Sequence, residues 1–296
     1  MTQISIDGPV VVTGANGFIG ARLVQKLSER GVDVVRIDAS GADGAHPVDI
    51  CSAAVADLIP ESSRIVHLAA LSTSGSCKDQ PARAAEVNIG GTLNLAQAAS
   101  ARGSKQFVFA STEWVYGSSS SEEPAFEKNP IDITALNDTY AVTKLAAENL
   151  LRTTGLFDDL MVLRFGIVYG PRSENWSAAE SLLAAAAKGL VEVGSLSTAR
   201  RFIFVDDVVD GIIASLGRPG HDVLNIAGSK LASLGDVITE SEKILGRTVE
   251  VRETNPTAIS VRNPDPAHAM AVLGWRPEVD LREGLSRVAS HLGLGS

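Results

Sequence analysis

Short runs of β-branched and aliphatic residues alternate with longer amphipathic runs through the first half of the chain. Residues 10–12, 33–37, 64–68, 106–110 and 160–165 have the length and composition of strands. Residues 21–30, 82–102 and 137–153 carry apolar positions at helical spacing. This rhythm predicts an α/β fold with a doubly wound parallel sheet, because parallel strands need crossover helices and bury both faces beneath them. Beyond Gly166 the rhythm becomes irregular. Turn-rich segments around 170–172, 194–198 and 255–266 surround shorter helices, which predicts a smaller lobe assembled from separate pieces. A strand over 202–205 is expected to return to the main domain. The expected division is residues 1–165 with about 200–226 in the sheet domain, and 166–199 with 227–296 in the lobe. The polar segment 118–124 is expected to be a mobile loop over the site.

The first strand run ends in Thr13-Gly14-Ala15-Asn16-Gly17-Phe18-Ile19-Gly20 and leads directly into a helical run. Gly14 permits the tight turn, Gly17 lets backbone approach a pyrophosphate, and Gly20 lets the helix pack against the sheet, so that N–H groups and the positive helix end face the phosphates. Many strand-to-helix turns use glycine and bind nothing, so the next strand matters. It ends on Asp38, about twenty residues past the last glycine, where an acid accepts hydrogen bonds from the adenosine ribose and repels a 2′-phosphate. The pattern favours NAD over NADP; Arg36 is the one feature pointing the other way.

With 296 residues, 45 % of them hydrophobic, the chain has enough apolar material for one large α/β domain and an appended lobe. A formal net charge of −9 with no dense Lys/Arg stripe argues against a nucleic-acid binder, and leaves any anionic ligand to local arginines. No apolar run is long enough to span a bilayer, and residues 1–9 lack the positive region of a signal peptide. A cytoplasmic protein is expected. Cys51 and Cys77 are read as reduced thiols. The histidines show no metal-ligand spacing, His67 reads as a strand residue, and no metal site is expected.

Tyr140 and Lys144 stand four apart in a helical stretch and so share one face. An ammonium beside a phenol favours phenolate, and a general base at neutral pH needs such a shift from a starting pKa of ~10. Alone the pair is commonplace on a solvated helix. Its position separates the two readings, because it follows a strand with hydroxyls at its carboxyl end, Ser111 and Thr112.

Taken together, these motifs resemble the extended short-chain dehydrogenase/reductase family, specifically its NAD-dependent nucleotide-sugar epimerases and dehydratases. Gly14, Gly17 and Gly20 are similar to its glycine motif, Asp49-Ile50 to its adenine-contacting pair, and His67-Leu68-Ala69-Ala70 to its fourth-strand motif. Asn88 with Gly91-Thr92 resembles its helix motif, residues 111–117 its Ser-Thr/Ser-x-x-Val-Tyr-Gly segment, and Tyr140 with Lys144 its Tyr-x-x-x-Lys. The resemblance implies a Rossmann-type doubly wound sheet with a smaller C-terminal substrate-binding lobe, NAD as cofactor and a homodimer. It places Gly14, Asn16, Gly17, Phe18, Ile19, Asp38, Asp49, Ile50, Leu68, Ala69, Ala70, Asn88, Tyr140 and Lys144 at the cofactor. Thr112, Tyr140, Lys144 and Glu113 are implied at the chemistry. Ser72, Thr112, Glu113, Trp114, Asn175, Arg201 and Arg262 are implied at a nucleotide-diphosphate sugar, with Arg201 and Arg262 clamping its diphosphate, a role that suits bidentate guanidinium geometry.

Two departures stand out. Ile167 occupies the place of a substrate-contacting asparagine, and Trp114 follows Glu113 where sugar dehydratases place a glutamate base. Epimerisation, expected at C4 through a 4-keto sugar, is therefore favoured over dehydration. The rivals are a dehydratase using Glu113, a dehydrogenase or reductase of a non-nucleotide substrate, and an NAD-sensing regulator without turnover. The presence of Thr112, Tyr140 and Lys144 together argues against the last.

Overall fold

The computed structural model describes residues 6–174 and 176–294. The first half runs β1 (Val10–Thr13), α1 (Phe18–Glu29), β2 (Val34–Asp38), β3 (His46–Pro47), β4 (Arg64–His67), α2 (Ser74–Asp79), α3 (Pro81–Ala85), α4 (Thr92–Ala101), β5 (Gln106–Thr112), α5 (Thr139–Thr154) and β6 (Asp159–Phe165). The second half continues β7 (Ile167–Tyr169), α6 (Ala178–Lys188), β8 (Leu190–Val193), β9 (Ala199–Arg200), β10 (Phe202–Phe204), α7 (Val205–Ser215) and β11 (His221–Ile226). It ends with β12 (Ala232–Ser233), α8 (Leu234–Leu245), β13 (Glu250–Glu253), β14 (Val261–Arg262), α9 (Ala267–Leu273) and α10 (Leu281–His291).

Seven parallel strands form the main sheet in the order β3-β2-β1-β4-β5-β6-β11. The chain leaves β1 toward one edge and returns at β4 to build toward the other. The carboxyl ends of β1 and β4 thus border the crevice in which such sheets hold dinucleotides. Alternate residues of β1 serve opposite faces. Val10 and Val12 pack with Leu23 and Leu27 of α1 and with Val208 and Ile212 of α7, while Val11 packs with Leu95 of α4 and Leu151 of α5. A third cluster, with Tyr169, Leu183, Val237 and Leu285, lies among α6, α8 and α10.

Three segments differ from the sequence expectation. The strand at 202–205 does not enter the main sheet: β10 pairs with β7, which continues the chain just past β6, and β11 takes the edge beside β6. β10 is a seam, with Ile203 in the core beneath the sheet and Phe202 and Phe204 in the lobe cluster. The helix expected over 82–102 is three consecutive segments, with a π-helical stretch, Glu86–Gly91, between α3 and α4. The polar segment 118–124 is tied down. Ser119 bridges to Val261, the Ser118 and Ser260 hydroxyls lie 2.7 Å apart, and the Ala125 N–H donates to the Asn263 carbonyl at 2.8 Å.

Candidate active site

The turn after β1 has the shape its glycines predict. Gly14 has φ +68°, and a Cβ there would sit 2.7 Å from the Ala69 amide nitrogen; a Cβ on Gly20 would overlap the Gly14 carbonyl oxygen. Gly17 caps α1 in extended backbone with no side-chain cap, so the first N–H groups of the helix point out of an open turn, an arrangement a pyrophosphate satisfies. Phe18 and Ile19 are half-buried in that first turn. At the end of β2 the Asp38 carboxylate accepts the Asn16 N–H at 3.1 Å and the Ser40 N–H at 2.9 Å, and the Asn16 side chain reaches on to Ser40 and Ala42. Arg36 lies alongside, Nη2 3.4 Å from Asn16 Oδ1 and Nε buried without a partner. Leu68 and Ala69 donate their N–H groups to the Thr13 carbonyl and hydroxyl, locking the ends of β1 and β4 together beside Ala70.

Asp49 and Ile50 follow β3 at the edge of the main sheet. The Cys51 N–H, followed by a bond from Arg83, holds the Asp49 carboxyl below the ordinary carboxylate range, and Ile50 is buried against Gly91. Asn88 is buried as a strut. It exchanges hydrogen bonds with the Leu71 backbone and donates to Thr143 of α5 at 3.0 Å. His67 lies buried between the hydroxyls of Thr13 and Thr92, and burial lowers it to about 3, so it is a neutral spacer. Among the described residues no group of three His, Cys, Asp or Glu is placed to hold a metal.

Thr112 ends β5, with its side chain near enough to the Tyr140 phenol to favour the phenolate. The Asp138 carboxylate caps α5 by accepting the Ala141 N–H at 3.1 Å, which places Tyr140 in the first turn and Lys144 one turn on. Lys144 is buried, donating to the Ala110 carbonyl at 2.9 Å, with its Nζ 4.7 Å from the Phe109 ring centre and 5.9 Å from that of Tyr140. Burial lowers its ammonium to about 8, opposed by Glu148. Burial, and then Cys77, pushes the Tyr140 phenol above its ordinary range against the effect of Thr112. This is opposite to the shift expected from Lys144, because desolvation of a phenolate outweighs a neighbouring ammonium already hydrogen-bonded elsewhere.

Glu113 follows Thr112 and is fully buried; neither carboxyl oxygen has a hydrogen-bond partner. Burial raises it to about 8, opposed by Arg200 and Arg262. Arg262 sits over the Trp114 ring, its guanidinium carbon 4.0 Å from the ring centre, and Arg262 Nε donates to the Gly117 carbonyl at 2.8 Å. The arginine beside them is Arg200, Nε 3.8 Å from Glu113, and not Arg201. Successive residues in extended backbone point opposite ways. Arg200 is the register partner of Arg262, whereas Arg201 turns away to Asn263, Gly228 and Ser229. Arg201, expected at the diphosphate, thus lies on the opposite side, and alternation along the extended backbone puts Arg200, two residues before buried Phe202, on the Glu113 side. Ser72 is exposed after β4, Ile167 is half-buried in β7, and Asn175 lies outside the described residues.

Sequence reasoning also missed a buried polar chain behind the site. Glu148 of α5 accepts from the Ser111 hydroxyl and from Arg164 of β6, at 2.7 and 3.1 Å. Arg164 donates to the Tyr116 hydroxyl at 3.0 Å, and Tyr116 donates to Asn225 of β11 at 2.7 Å. Cys77 of α2 lies within electrostatic reach of Tyr140 and Lys144, its thiol donating to the Leu71 carbonyl at 3.2 Å.

A parallel sheet with a glycine cradle at its switch point and a Thr–Tyr–Lys cluster at the end of β5 defines an enzyme of the extended short-chain dehydrogenase/reductase class. The chain belongs to the NAD dependent epimerase/dehydratase family, whose model matches residues 10–227. It is 30 % identical to a UDP-glucuronate 4-epimerase of Thermodesulfobacterium geofontis, over 96 % of this chain and 95 % of the relative. It is 32 % identical to a UDP-glucose 4-epimerase of Mycolicibacterium smegmatis, over 94 % and 96 %. Among solved structures, MoeE5 in complex with UDP-glucuronic acid and NAD superposes with TM-score 0.85 at 29 % identity, covering 97 % of this chain and 99 % of that one. The Thermus thermophilus UDP-glucose 4-epimerase in complex with NAD superposes with TM-score 0.83 at 26 % identity, covering 96 % and 99 %. NAD is the cofactor of the family, and the open glycine turn and the anchored Asp38 fit it.

Proposed function

We propose that the protein epimerises a nucleotide-diphosphate sugar at C4. The observation that carries the reading is Tyr140 in the first turn of α5 beside the Thr112 side chain, with Lys144 buried one turn along the same helix. Tyr140 takes the proton of the C4 hydroxyl, Thr112 hydrogen-bonds the same oxygen, and Lys144 holds its charge near the phenol and the nicotinamide ribose. The chemistry supplied by bound NAD is reversible acceptance of the C4 hydride, together with a positive charge that favours phenolate. The site residues of the glycine turn, Asp38, Asp49-Ile50, Leu68 to Ala70 and Asn88 hold the cofactor; Ser72, Trp114, Arg262 and Arg200 serve the substrate. Residues 1–165 with about 200–226 carry NAD, and 166–199 with 227–296 carry the sugar nucleotide.

Both curated relatives described above are 4-epimerases of UDP sugars, which supports the C4 assignment and makes UDP the first nucleotide to try. No described helix is long and apolar enough to cross a membrane, which fits a cytoplasmic enzyme, and exposed Val142 and Leu150 on α5 offer a face for a second copy.

A second reading has one observation in its favour. Glu113, neutral at pH 7, has the protonation state of the acid that a dehydratase needs at a departing C6 hydroxyl. Trp114, however, stands where that chemistry requires a base at C5. Turnover of UDP-glucose and UDP-glucuronate in deuterated water separates the two: a C4 epimer without deuterium at C5 supports epimerisation, whereas C5 deuterium or a product lighter by one water overturns it.

A further inference from the structure

Glu113 is buried at the head of the turn after β5 with both carboxyl oxygens unpartnered. A buried carboxylate without donors is costly, and a proton is the simplest way to relieve it. The charged groups facing it are Arg200 from β9 and Arg262 from β14; Asp138, the cap of α5, acts in turn on Arg262. The terminal nitrogens of Arg200 are already bonded to Ala199 and Ser260. Arg262 Nη1 is buried with no partner. The cluster therefore combines two adjacent cations, an unspent guanidinium donor and an acid whose charge is optional.

We infer that Glu113 couples anion binding to a proton: the Arg200–Arg262 pair accepts a nucleoside diphosphate while the Glu113 carboxyl is protonated and releases it when that carboxyl ionises. The inference rests on the nucleotide-sugar reading of this site. With Glu113 neutral, two positive charges meet the diphosphate. With Glu113 ionised the pair is half neutralised, and a carboxylate stands against phosphate oxygens in a dry, weakly screened site. The balance is simple. Carboxylate, solvent proton and ligand combine in the complex, and release of the ligand returns the proton to solvent. Burial raises the acid to about 8, above a phosphate's own last ionisation at ~6, so the two titrations are separable.

The test uses the NAD-loaded enzyme and UDP, with dTDP as a second probe, in calorimetric titrations from about pH 6.5 to about pH 9.5 in buffers of different ionisation enthalpy. Affinity is expected to hold up to about pH 7.5 and then fall by up to about tenfold per pH unit. Proton uptake should approach one per UDP at about pH 9, and an infrared difference spectrum there should show a carboxylic-acid C=O band gained on binding. Glu113→Gln, which keeps a neutral side chain, should bind with no loss of affinity over this range and no uptake.

A flat wild-type profile overturns the coupling, as does a missing carboxylic-acid band, a reading that does not depend on the variant folding. A pH-dependent loss that survives in Glu113→Gln overturns it too, because the titrating group is then not Glu113. If neither UDP nor dTDP binds at about pH 6.5, the nucleotide-sugar reading falls and the coupling with it; binding with a flat profile removes the coupling alone.

Discussion

Arg200 and Arg262 are register partners on the adjacent parallel strands β9 and β14, and this pairing brings two guanidiniums to Glu113 while Arg201 faces the other way. Arg200→Ala and Arg262→Ala are each expected to weaken UDP binding by about 10- to 100-fold, the range for loss of a charge-assisted hydrogen bond. Arg201→Ala should leave that affinity nearly unchanged. It should instead lower stability by ~1–3 kcal/mol, because the Asn263, Gly228 and Ser229 acceptors lose their donor. Calorimetry and thermal melts on the three variants read both quantities; weaker UDP binding in Arg201→Ala alone would reverse the assignment.

Tyr140→Phe removes the proposed proton acceptor beside Thr112. Turnover should fall by about 10²-fold or more with NAD affinity and melting temperature largely retained. Steady-state kinetics beside a cofactor titration decide it, and an undiminished kcat would remove Tyr140 from the chemistry.

Asp38→Ala should narrow the gap between NAD and NADP, since the carboxylate lost would face a 2′-phosphate. Arg36, whose Nε has no partner, is placed to gain from the change. Fluorescence titration with both cofactors measures the ratio. Tighter NADP binding by the unaltered protein would instead show Arg36 dominating this strand end.

Glu113 also sets a pH dependence of stability. Its acid constant is 4.5 ordinarily and about 8 in the fold, so between these values the native state keeps a proton that the unfolded chain loses. The stabilisation this proton provides is complete below about pH 4.5 and is lost as pH rises through about 8, at on the order of 1 kcal/mol per pH unit. Relative to the unaltered protein, Glu113→Gln should therefore gain stability from pH 5 to pH 8. Parallel denaturant melts across that interval test the sign, and a constant difference would mean that Glu113 is ionised throughout.

What could be read from the chain was governed by short covalent spacing. Gly14, Gly17 and Gly20 act within one turn and its helix, and Tyr140 with Lys144 within one helical turn, so their arrangement needed no knowledge of the rest of the fold. β11 was not legible. It begins with His221 and Asp222 at the sheet edge, and only its last three residues are buried, so it lacks a continuous apolar run. The Arg200–Arg201 choice hung on strand register, which is a tertiary property. The Glu148–Arg164 pair joins two different elements, and its partners Tyr116 and Asn225 come from two more. The upward shift of the Tyr140 phenol is not legible in a Tyr-x-x-x-Lys pattern, because it comes from burial, which is a tertiary property.

The contact between Gly20 and the Gly14 carbonyl has a bearing on how such an enzyme can diversify. Since no methyl group fits between the helix and the turn, the cradle and the seat of α1 form a single mechanical part, and loosening one displaces the other. Room for novelty lies elsewhere, at the strand ends carrying Glu113 and Trp114 and along the arginine-bearing strands β9 and β14. New chemistry can be tried there on an unaltered engine, in the way a tool holder accepts different bits.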